Sequence, residues 1–241
     1  MKILTFAGLL LLYLIGIRYT KHKSLGLKQT SKPEDTIFLL KKTGKDYRHI
    51  IYVEKNRRSA FYTKLLDFKM DEQDTNSYIQ NCRAFNKDLH KPVQKFKLSG
   101  LARQWLPVYS YKHKYYLYYP GDTGLENRKM ITDSTICYSN MDGWFPEQML
   151  SVKQPDNKTW AFGTSPGNAF KPTLTVHIID NETKLTVWED DNRSAAYRFG
   201  LYVPRDYAAK FDMIVNHTNG DLPDEFEFDK IDFKALLKGR R

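Results

Sequence analysis

The chain has 241 residues, a formal charge of +10 and two cysteines. Two cysteines exclude a disulfide framework and a zinc cluster. The charge is confined as well: residues 1–32 hold six basic residues and no acidic one, and the rest carries 32 basic against 28 acidic residues, too even a balance for nucleic-acid binding.

The N-terminus begins with Lys2, an apolar run over residues 3–17, and then Arg18, Lys21 and Lys23. That layout predicts an N-terminal hydrophobic helix, a signal peptide or signal anchor over residues 1–23 that brings the chain to a membrane. As a helix the run is about 22 Å long, short of the roughly 30 Å hydrocarbon core. The basic flank after it would hold the body in the cytoplasm by the positive-inside rule. The signal-like start and a β-rich body point instead to an extracytoplasmic domain, which is the expectation adopted. Residues 24–35, ending in Pro33, Glu34 and Asp35, read as a basic polar tether, and residues 36–241 as one β-rich domain.

Short strand-like runs follow at residues 37–40, 49–54 and 60–68. Tyr78, Cys82, Phe85 and Leu89 then recur at helical spacing ahead of Pro92. Cys82 and Cys137 are able to form a single bridge in an oxidising compartment, closing a loop worth roughly 4 kcal/mol. From Trp105 onward the pattern is a meander, with strands expected at 108–111, 114–119, 130–138, 149–153, 159–163, 173–179, 183–188, 196–203 and 211–216, and a short helix at 231–238. The fold class that follows is all-β, a predominantly antiparallel sandwich or barrel with one or two accessory α-helices.

Two surfaces attract attention. Trp105, Tyr109, Tyr111, Tyr116 and Tyr118 belong to the densest aromatic stretch, where alternate rings reach both faces of a hairpin, and an exposed set would suit a glycan or a protein. The second rests on a hairpin register. A two-residue loop at Asn181 and Glu182 would pair Ile178 with Leu185 and Val176 with Val187 on the core face. His177, Thr186, Trp188, Arg198 and Tyr202 would then share the opposite face, where a guanidinium and an imidazole can grip an anion beside a stacking indole.

Catalytic signatures are wanting. Residues 163–167 match GxSxG, yet Pro166 follows the serine and has no N–H for an oxyanion hole. His49, His90 and His113 lack zinc spacing, the acidic clusters lack calcium-loop spacing, and no metal or cofactor is expected. A hydrolase would have to draw on Glu189 and Asp191. Sequons stand at Asn157, Asn181, Asn192 and Asn216. The expected function is a non-enzymatic module for a small ligand, glycan or protein partner. The alternative is a membrane-tethered structural subunit of an envelope or secretory assembly.

Overall fold

A computed structural model describes residues 36–89, 93–122, 127–140, 143–165, 173–219 and 224–238. The hydrophobic leader and the tether lie outside the described residues. In chain order the elements are β1 (Ile37–Thr43), β2 (Arg48–Glu54), α1 (Ala60–Leu65), α2 (Glu72–Leu89), β3 (Gln104–Tyr111), β4 (Lys114–Tyr119), β5 (Lys129–Ile131), β6 (Thr135–Asn140), β7 (Gly143–Asp156), β8 (Thr159–Thr164), β9 (Leu174–Ile178), β10 (Thr186–Asp190), β11 (Phe199–Pro204), a 3-10 helix (Arg205–Lys210), β12 (Asp212–Thr218) and α3 (Phe233–Leu236).

The protein is mostly β, and eight strands close into an antiparallel barrel in the order β3, β11, β10, β9, β8, β7, β6, β5. Closure falls on β3, because one edge pairs with β11 while the other is shared. Gln104 and Trp105 pair with β5, sealing the barrel, whereas Val108 to Tyr111 pair with β4. From β4 the sheet runs on through β12, in parallel pairing, to β2 and β1. A barrel rather than a sandwich is therefore the architecture.

Alternation along the strands sorts side chains to two faces. Trp105, Ile131, Ile136, Met149, Trp160, Phe162, Leu174, Val176 and Trp188 fill the barrel interior. Leu98 and Leu101 are buried with them, and Trp105 Nε1 donates to the Ala102 carbonyl, so the segment before β3 stoppers one end. On the outer face Leu106, Val187, Leu201 and Val203 pack with Tyr62 and Leu65 of α1, with Ala208, and with Phe233 of α3.

Several expectations need correcting. Residues 60–68 do not extend a strand: the Ser59 hydroxyl accepts from Tyr62 N–H and starts α1 in place of a strand. The 130–138 run is two strands, because Thr132 Oγ1 accepts from the backbone of Ser134 and Thr135 and turns the chain there. β11 begins at Phe199 rather than at residue 196, which leaves Arg198 on a turn. Among the described residues no helix is long and apolar enough to cross a membrane.

Candidate ligand-binding site at the barrel mouth

Opposite the stoppered end, the interior alternation turns polar. β5 and β6 pair Ile131 with Ile136 and, two residues on, Lys129 with Tyr138, so these four side chains share the inner face. On β7, Glu147 lies opposite Ile136 and again points inward. β10 repeats the pattern, placing Asp190 in phase with Trp188, and β11 sets Tyr202 opposite Thr186. A cavity of about 660 Å³ opens here, walled by Lys129, Tyr138, Trp188, Asp190, Arg193 and Tyr202 and reaching out to Phe199 and Phe233.

The Lys129 ammonium lies 4.7 Å from the Tyr138 ring centre, 4.7 Å from that of Trp188 and 4.6 Å from that of Tyr202. Three negative ring faces attract it, each contact worth about 0.5–2 kcal/mol. No hydrogen-bond acceptor or ion-pair partner reaches it among the described residues. The nearby carboxylates are engaged elsewhere: Arg193 stands 3.3 Å from Glu147 and 3.4 Å from Asp190. Burial pushes Lys129 down to about 7, and the Arg193 charge adds to this against the opposing pull of Asp190 and Glu147. The Glu147 carboxyl is pushed up, first by burial and then by the Asp190 charge. Burial likewise raises the Tyr138 and Tyr202 phenols.

One more donor on this wall lacks a partner. Trp188 Nε1 is buried and has no acceptor, although its ring sits against Trp105 at 5.4 Å and Tyr202 at 5.2 Å. A buried N–H left unpaired costs about 1–3 kcal/mol, so this wall is incomplete without an acceptor. Gly200 faces Trp188 across the β10–β11 ladder, and a Cβ there would come within 2.8 Å of the Tyr202 ring. Glycine is what lets that ring lie flat against the strand.

The five residues expected to share one face are divided among the interior, the outer wall and the rim. Thr186, Trp188 and Tyr202 line the interior, with Thr186 Oγ1 donating to the Tyr202 carbonyl at 2.9 Å. His177 is on the outer wall opposite Val187, with Nε2 3.8 Å from Glu189. Arg198 is at the rim, its guanidinium 2.8 Å from Glu189 and 2.6 Å from Asp191. The cause is a one-residue slip: Thr186, not Leu185, opposes Ile178. The Asp180 carboxylate accepts from the backbone of Glu182 and Thr183, Lys184 takes φ of 55°, and Ile179 N–H donates to the Leu185 carbonyl, so residues 180–184 form a longer loop in place of the expected two-residue turn. Trp188 is therefore core-facing, not solvent-facing.

The aromatic set is also covered rather than exposed. Trp105 is inside the barrel, and Tyr109, Tyr111, Tyr116 and Tyr118 continue the same face onto β4. Phe226 and Phe228 of the C-terminal segment roof it: Phe228 stacks on Tyr109 at 4.5 Å and Phe226 meets Tyr111 at 4.9 Å. Tyr118 donates to Glu225 and accepts from Phe226 N–H, which ties the roof down.

Cys82, on α2, and buried Cys137, on β6, stand as free thiols. Tyr78 links their surroundings, its hydroxyl 3.2 Å from Thr135 Oγ1, itself 3.5 Å from Cys137 Sγ. Burial pushes the Cys137 thiol up to about 12 and raises Cys82 too. Glu189 and Asp191 converge on Arg198 rather than facing each other across a cleft. Pro166 and Gly167 of the GxSxG stretch lie outside the described residues. The Asn216 sequon is 1% exposed and its amide donates to the Tyr118 hydroxyl, so the folded chain does not offer it for glycosylation.

Sequence reasoning missed Lys129, Tyr138, Glu147, Asp190 and Arg193. For the first four the signal was present as polar residues in phase with buried ones, but only the strand register reveals the phase, and Arg193 lies on the turn after β10. The chain matches no protein-family model, no curated protein and no solved structure.

Proposed function

We propose that this protein is a non-enzymatic binding module that takes a small, partly apolar ligand with a hydrogen-bond acceptor into the barrel mouth. The observation that carries the reading is the unpaired Trp188 N–H on the wall of the 660 Å³ cavity. Eight-stranded barrels have room for one small ligand, and here the packed indoles confine that room to one end. The ligand's apolar part would lie toward Phe199 and Phe233, and its acceptor would meet Trp188 and Lys129. The apolar leader with its basic flank supports delivery of the module to a membrane or across it.

Anilinonaphthalene sulfonate, an aromatic probe with acceptor oxygens, tests the site. Saturable binding with energy transfer from tryptophan is expected. Trp188→Phe keeps an aromatic face but removes the N–H together with part of the indole surface, and should weaken binding at least roughly 3- to 10-fold, the worth of one hydrogen bond. Unchanged affinity in that variant would remove Trp188 from the site.

A further inference from the structure

A lysine that condenses with a carbonyl compound needs a neutral amine, an apolar wall and a donor for the carbonyl oxygen. The barrel mouth supplies all three around one residue. Lys129 is the only lysine on the cavity wall among the described residues, and three rings stand within 4.7 Å of its Nζ. Arg193 holds both Glu147 and Asp190, so neither carboxylate forms an ion pair with the amine. The unpaired, buried Trp188 N–H belongs to one of the same three rings.

We propose that Lys129 captures an aldehyde or ketone as a reversible imine in the barrel mouth, an inference that rests on reading that mouth as a ligand site. The neutral Nζ lone pair attacks the carbonyl carbon, a C–N bond forms, and the π pair moves to oxygen beside the Trp188 N–H. Proton transfer from nitrogen to oxygen gives a carbinolamine. A solvent proton taken up by its hydroxyl expels water and leaves an iminium, which returns a proton from nitrogen to solvent and gives C=N. Amine and carbonyl give imine and water, with no oxidant or reductant, and hydrolysis reverses the step. The charged groups facing the amine are Asp190, Arg193 and Glu147, with Arg198 and Asp229 further along the wall. An amine titrating near 7 is about half neutral at that pH, roughly a thousand-fold more than an ordinary lysine.

The test exposes the full chain to para-carboxybenzaldehyde and sodium cyanoborohydride, followed by peptide mapping. One dominant reduced adduct on Lys129 is expected, lost in Lys129→Arg. Its rate should rise to a plateau just above pH 7, whereas exposed lysines keep gaining to about pH 10. In parallel, para-(hydroxymethyl)benzoate, which has no carbonyl at the reacting carbon, is titrated while the Trp188 indole N–H is followed by NMR. Adducts spread over surface lysines, while the alcohol still shifts Trp188, would overturn the imine and leave the binding site standing. No adduct at Lys129 and no shift at Trp188 would overturn both.

Discussion

At the barrel mouth the half-buried Lys129 amine sits among three aromatic faces, and this setting governs how stability depends on pH. Its value falls from 10.5 to about 7 in the folded chain, mainly by burial. Below pH 7 the amine is charged folded and unfolded, so the full desolvation penalty applies. Between about pH 7 and pH 10 the folded chain has lost that proton and the unfolded chain has kept it, so stability rises with pH. Lys129→Met lacks this rise. The stability of the variant relative to the parent, from urea unfolding, should be greatest below pH 7 and shrink toward pH 10. A constant difference would mean that the amine titrates alike in both states. Neighbouring Asp190 shows how a residue can look ordinary in sequence: within Glu189, Asp190 and Asp191 it reads as part of a turn, yet phase with Trp188 puts it inside.

Single elements were legible where the pattern was local. The helix through Tyr78 and Cys82, the β3–β4 hairpin and most strand positions follow from periodicity and turn residues. Register was not. The turn built on Asp180 and Lys184 shifts the strand pairing by one residue, and that alone carries His177 outside while Thr186 and Trp188 go inside. Residues 60–68 misled for a related reason: their aromatic and β-branched content resembles a strand, and the Ser59 cap overrides it. Ser59→Ala should cost about 1 kcal/mol by chemical denaturation and loosen α1 from the outer core. A cost near zero would mean that packing of Tyr62 and Leu65 holds the helix without its cap.

At the scale of the molecule, β3 is the organising strand. It closes the barrel with its first half and extends the sheet with its second, so the cavity opens where the two partners, β5 and β4, part. No local pattern announces such a division, because it depends on pairings between strands far apart in the chain. The C-terminal segment completes the arrangement, roofing the tyrosines with Phe226 and Phe228 and bringing Asp229 and Phe233 to the cavity edge. Delivery to the far side of a membrane is an expectation of the leader. Protease should digest a C-terminally tagged chain in intact cells or spheroplasts, and protection until lysis would place the barrel in the cytoplasm.

The most direct measurement is the two-dimensional nitrogen–proton NMR spectrum of the indole groups during titration with anilinonaphthalene sulfonate. The chain has four tryptophans. Trp144 packs on the outer face and Trp160 borders a separate cavity beside Phe96, so both serve as internal references. A ligand in the mouth should shift the Trp188 N–H, identified by its loss in Trp188→Phe, and leave Trp144 and Trp160 in place. Binding that moves Trp144 or Trp160 while the Trp188 signal stays fixed would contradict a ligand site at the barrel mouth.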